Sequence, residues 1–218
     1  WGYDHFPLSA SYCRTLGMEM LGMTGKFHTS WGEFGGFKHK NALRYEAALS
    51  VANGAKCSVG DQLHPNGAMN DATYKLIGAA YKEVEEKEPW LDDVTAVTDV
   101  AVLSDEAVRN SQKRPQEDRN NKPDIGAARV LLEGKYLFNV IDMEEDFEKY
   151  KVLILPDSIA IDNELESRLK AFLAKGGKLL ASGESGLKAD GSGFAFDFGC
   201  EYVGKSEYKP AYVVPKVP

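Results

Sequence analysis

No run of about eighteen apolar residues occurs in these 218 positions, so the sequence offers no helix suited to crossing a bilayer. Cysteine is scarce. Cys13, Cys57 and Cys200 are scattered, none forms a CxxC pair, and an odd count cannot pair completely, which excludes a disulfide framework. Positive charge is also short: 26 Lys and Arg stand against 33 Asp and Glu, a net charge of −7. That balance argues against the clustered basic surface a nucleic-acid partner requires. There is no GxGxxG, no GxxxxGK(S/T), no internal repeat and no HxH or HExxH spacing, so no cofactor or metal is expected. Trp1-Gly-Tyr-Asp-His-Phe carries neither an initiator methionine nor a signal-peptide pattern. The chain is therefore expected to be a fragment of something longer, with its targeting information elsewhere and its location left open.

What is present falls into two halves. In the first, Met18-Glu-Met-Leu-Gly-Met-Thr-Gly-Lys-Phe-His28 reads as a buried strand emerging into a loop. Lys40 to Asn53 spaces Ala42, Leu43, Leu49 and Ala52 as a helix that Gly54 ends. Lys56 to Val59 is the next strand. Asn70 to Lys87 is a strongly amphipathic helix carrying Leu76, Ala80 and Val84 on one side. This is strand, loop, helix, strand, loop, helix. In parallel α/β proteins chemistry gathers where strands hand over to loops at their carboxyl ends. Those handovers hold Thr29-Ser-Trp31-Gly-Glu33-Phe-Gly-Gly36 and Gly60-Asp61-Gln62-Leu63-His64-Pro65. Trp90, after Glu88-Pro89, is expected to pack the joint with the second half.

From Val94 the grammar becomes one compact α/β unit. Strands are expected at Asp99–Ser104, Phe138–Ile141, Lys151–Pro156 and Lys178–Ser182, with helices from Asp124 to Glu133 and from Asn163 to Lys175. Asp124 is taken as a helix cap. Ser104 to Pro123 reads as a long, mobile polar connection, and Gly191 to Pro218 as irregular edge strands.

These segments carry a family resemblance. Gly25 to Gly36, Gly60 to Pro65 and Tyr81 through Trp90 resemble the end of the catalytic barrel in a group of bacterial glycoside hydrolases, distantly similar to α-L-fucosidases and family-42 β-galactosidases. Tyr150-Lys-Val-Leu-Ile-Leu-Pro-Asp157 with Phe172 to Gly186 resembles the β-galactosidase trimerisation-type domain, a flavodoxin-like module similar to class I glutamine amidotransferases. The resemblance implies an α/β chain with the terminal βα units of a (β/α)8 barrel in residues 1–93. A flavodoxin-like parallel-sheet domain would then occupy residues 94–218. It departs from the amidotransferases in one respect: the turn Ser182-Gly-Glu184-Ser-Gly186 has no cysteine and no histidine follows His64, so a local Cys–His pair is impossible.

Glycosidic cleavage commonly uses two carboxyls, as acid and as base or nucleophile. Glu33 and Asp61 are the carboxylates at the two rims, read either as catalytic or as braces and sugar hydrogen-bond partners. Both catalytic carboxyls could instead lie upstream, as the likeness to fucosidases allows. Trp31 offers a flat face for a sugar ring, and His28 and His64 can donate to sugar oxygens. The implied partners are a glycoside or oligosaccharide substrate and a second copy of the chain, with no nucleic acid and no membrane. The fragment alone would be inactive. The alternative is a non-catalytic oligomerisation or glycan-binding module.

Overall fold

A computed structural model describes residues 3–113, 121–208, 210, 212 and 214. Helix α1 (His5–Cys13) leads through a short 3-10 turn to strand β1 (Leu21–Gly25), then α2 (Lys40–Ala52), β2 (Lys56–Gly60) and α3 (Asp71–Glu85). β1 and β2 pair in parallel, Leu21 opposite Lys56 and Gly25 opposite Gly60. Leu43, Ala47, Ile77 and Ala80 form the core between α2 and α3, with Cys57 and Val59 packed against it from β2. Asn70 begins α3 by accepting from the Ala72 and Thr73 amides, satisfying donors that the first turn leaves unpaired. Glu46 of α2 pairs with Lys38 at 2.8 Å. β1 is less buried than its apolar sequence implies: Leu21 and Met23 stay largely exposed, because its inner face alone meets α2.

The second sheet contains β3 (Val100–Leu103), β4 (Phe138–Ile141), β5 (Val152–Leu155) and β6 (Lys178–Ala181), with α4 (Asp105–Ser111), α5 (Lys122–Glu133) and α6 (Asn163–Ala174) between them. All pairings are parallel and the strand order is β4-β3-β5-β6. Counted within this unit the order is 2-1-3-4, the doubly wound order of flavodoxin-like sheets. One face buries Leu103, Ile141, Leu153 and Leu155 against Leu165, Leu169 and Phe172 of α6. The other buries Val102, Phe138 and Val140 against Ala128 and Leu131 of α5, with Leu8 and Tyr12 of α1 added to the cover. Arg14, just past α1, donates to the Phe138 carbonyl and at 2.7 Å to Asn139 Oδ1, occupying the edge of β4.

Four further expectations are corrected. The polar connection after β3 is not continuous loop, for Ser104 caps α4 by accepting from the Ala107 amide, and Asp105 and Glu106 supply the acidic first turn. Its remainder at 114–120 lies outside the described residues. Asp124 does not cap its own helix, which starts two residues earlier at Lys122 with Pro123 in the first turn. It accepts instead from Ser104 Oγ and the Asp105 amide, both at 2.8 Å, and burial raises its pKa. Beyond Gly191 the described residues form one antiparallel bridge, Leu187 to Phe194, and an edge-on aromatic stack of Phe194, Phe198 and Tyr202. Trp90 does not fill a joint: it is 73% exposed.

Candidate functional site

Both strands of the first sheet end at glycine, and both glycines are needed. A Cβ on Gly60 would lie 2.4 Å from the Trp31 ring, and one on Gly25 would lie 2.8 Å from Phe27 and 3.1 Å from Trp31. The indole thus rests directly on the backbone at the carboxyl ends of β1 and β2, edge-on to Phe27 at 5.2 Å, and still leaves 67% of its surface open. Gly60→Ala is expected to push the indole off this seat and to cost about 1 to 3 kcal/mol through overpacking. Chemical denaturation and a red shift in tryptophan emission would check it. Unchanged stability and emission would mean the ring is not held there.

Immediately after β1 comes Lys26, which the sequence reading passed over. Its side chain is 2% exposed. The ammonium donates to the Phe34 carbonyl at 2.7 Å and the Gly36 carbonyl at 3.2 Å, and stands 5.2 and 5.1 Å from the ring centres of Phe27 and Phe37. Its nearest anion is Asp61 at the end of β2, 4.0 Å away. Asp61 is itself 9% exposed, and both of its carboxylate oxygens are closed off from solvent with no hydrogen-bond partner. The only clue to Lys26 in the sequence was a cation directly following an apolar strand.

The loop between β1 and α2 folds over this pair. Glu33 turns back on its own loop: one carboxylate oxygen accepts from both the amide and the hydroxyl of Thr29 at 2.8 Å. The amide bond first, then the hydroxyl, holds the Glu33 pKa below its usual range, with the charge of His28 adding to the effect. Its carboxyl group also lies against Gly36, where a Cβ would meet it at 2.6 Å. His28 is exposed. His64 is half-buried and edge-on to Phe34 at 5.0 Å, and its carbonyl accepts from the Gly67 amide in a tight turn. Tyr81 of α3 reaches β2, accepting from the Val59 amide at 3.1 Å.

The named residues form two groups. Asp61, Trp31 and His64 are linked through Lys26, Phe27 and Phe34 into one cluster over the two strand ends. His28 is exposed at the start of the same loop, and Glu33 is committed to Thr29. Among the described residues no group of three or more His, Cys, Asp or Glu is arranged to hold a metal ion, and no helix is long and apolar enough to cross a membrane.

Comparison with known proteins agrees with this architecture. Residues 100–193 match the family model described as the beta-galactosidase trimerisation domain. Beta-galactosidase GanA of Bacillus subtilis (strain 168) is 47% identical over 59 residues, which is 27% of this chain and 9% of that protein. The solved structure of alpha-L-fucosidase isoenzyme 2 from Paenibacillus thiaminolyticus is 56% identical and superposes with a TM-score of 0.84 over 90% of this chain. A beta-galactosidase from Bacillus circulans sp. alkalophilus superposes at a TM-score of 0.64 with 20% identity over 83% of this chain, a likeness of fold alone. This chain spans 30% of the length of each of those two structures. It is thus an α/β chain similar to about a third of those enzymes, with residues 100–193 matching the beta-galactosidase trimerisation domain.

Proposed function

We propose that this chain serves a glycoside hydrolase, with residues 1–93 contributing the closing βα units of a sugar-binding barrel and residues 94–218 an assembly domain. The reaction is hydrolysis of a glycosidic bond by carboxyl acid/base chemistry, and the protein assembles as a homo-oligomer through the trimerisation-type unit. The observation that carries this reading is the exposed Trp31 indole, seated on Gly25 and Gly60 at the carboxyl ends of two parallel strands. That is where a barrel presents its chemistry. A broad aromatic face beside carboxylate and imidazole groups suits a polyhydroxylated ring.

Of the two rim carboxylates, Glu33 is the better suited to meet substrate. The Thr29 bonds keep it ionised, as a base or nucleophile must be. Asp61 is sheathed, and its field acts from beneath through Lys26. His28 and His64 would donate to sugar hydroxyls.

Turnover of the full-length protein on aryl α-L-fucosides and β-galactosides, the sugars named for its relatives, is the test. Glu33→Gln is expected to lower kcat/KM by about 100-fold or more. If Glu33→Gln and Asp61→Asn both left turnover intact, the rim carboxylates would be loop braces.

A second reading is favoured by one specific feature: neither carboxylate stands free, since Glu33 is bonded to Thr29 and Asp61 is sealed. That suits a glycan-binding or purely oligomerising module. Glycoside binding by the parent protein without any turnover would decide for the glycan-binding form of this reading, and neither binding nor turnover for the oligomerising form.

A further inference from the structure

A lysine with 2% of its side chain exposed is unusual, because an ammonium is almost never fully buried unless paired. Lys26 has three donors. Two are spent on backbone carbonyls of one loop, Phe34 and Gly36, and its remaining charge faces Asp61 at 4.0 Å without a direct hydrogen bond. Its own carbonyl accepts from the Lys38 amide at 2.6 Å, so the loop is pinned at its far end to the same residue. What the loop displays on its outer side is aromatic: Trp31 is 67% exposed, and Phe34 and Phe37 are each 43% exposed. Phe34 in turn supports the His64 ring. One buried cation therefore holds the backbone that presents the aromatic wall.

Resting on the sugar-site reading above, we infer that Lys26 is a positioning residue. Its ammonium, balanced by Asp61, ties down the Phe34 and Gly36 carbonyls and so sets where Trp31 and Phe34 meet a sugar ring. Asp61 supplies the countercharge and the loop carbonyls take the hydrogen bonds, a division of labour that fits a carboxylate with no donor of its own. Neither residue needs to touch the substrate. Displacing a binding group by about an ångström through a remote change is enough to weaken a site severalfold to a hundredfold.

The experiment compares Asp61→Asn with the double variant Lys26→Met/Asp61→Asn in the full-length protein. Both lack the buried carboxylate, so whatever Asp61 itself contributes cancels, and what differs is the Lys26 ammonium with its hold on the two carbonyls. Neutralising both members of a buried pair is far better tolerated than removing one. The protein is labelled with 5-fluorotryptophan, and the Trp31 fluorine resonance is identified by its loss in Trp31→Phe. Binding of aryl thioglycosides, which resist cleavage, is titrated on the same samples. The double variant is expected to shift or broaden the Trp31 resonance relative to Asp61→Asn and to weaken thioglycoside binding about tenfold. A Trp31 resonance identical in the two variants, or, where the parent binds thioglycosides, binding equal in both variants, would overturn the inference. A parent that neither binds nor cleaves any glycoside, with the resonance moving as expected, would end the sugar-site reading while leaving the clamp established.

Discussion

Lys26→Met alone is expected to lower the free energy of unfolding by about 3 to 5 kcal/mol, the usual cost of stripping one partner from a buried ion pair. Methionine fills much the same volume, so little of the loss comes from a cavity. What remains is the Asp61 carboxylate, 9% exposed, with no hydrogen-bond donor on either oxygen and no cation beside it. At 4.0 Å the Lys26 charge is worth about 4 kcal/mol to that carboxylate at an effective dielectric near 20. The Phe34 and Gly36 carbonyls would lose their donor as well. Urea titration with a fitted midpoint and slope measures the change. Adding Asp61→Asn to the same chain should recover most of it, because the stranded charge is gone. A loss below about 1 kcal/mol, the range of exposed pairs, would mean that solvent reaches the pair.

The other large effect belongs to the four-stranded sheet. Leu153 sits in β5 with no exposed surface, flanked by Ala101 of β3 and Leu179 of β6 and packed in the core that α6 covers. Leu153→Ala is expected to cost about 2 to 5 kcal/mol, from lost transfer energy and from the cavity that close-packed neighbours cannot fill. Leu180 on β6, 58% exposed, is the control, and its change to Ala should stay within about 0.5 kcal/mol. If the sheet unit carries assembly, Leu153→Ala should also weaken the oligomer in sedimentation. Equal stability losses at the two positions would contradict the assigned faces of the sheet.

The two kinds of information in the sequence were unequally legible. β4 was readable to the residue because Phe138-Asn-Val-Ile141 lies between a helix-ending glycine and a polar turn, and α6 because its leucines recur at helical steps. α4 was overlooked, since Asp105-Glu-Ala-Val-Arg-Asn-Ser111 is mostly polar, although its Ser104 cap and acidic first turn are local signals and only the Ser158 contact is remote. Asp105 pairs with Arg109 at 2.9 Å and accepts from Ser158, which is distant in sequence. The rim residues were findable as types at strand ends, but their partners were not. Glu33 reads as an available carboxylate until the loop brings Thr29 against it, and Asp61 reads as exposed until Lys26 and the loop close over it. Burial of a charge depends on where a loop folds back, and spacing along the chain does not encode that. Trp90 failed for the mirror reason: a large apolar residue beside proline looks interior, yet among the described residues it stays 73% exposed.

Helix α1 precedes the first sheet in the chain but lends Leu8 and Tyr12 to the Val102–Val140 face of the second, tied there by Tyr12 to Asp142 at 2.8 Å and by Asp4 to Arg129 at 2.7 Å. Anyone excising residues 94–218 would therefore leave that face to α5 alone. The excised piece would show water the valine and phenylalanine surface that α1 had covered, and would be prone to precipitate. A soluble version would need the opening helix supplied alongside it, as a separate peptide or spliced on by a short tether.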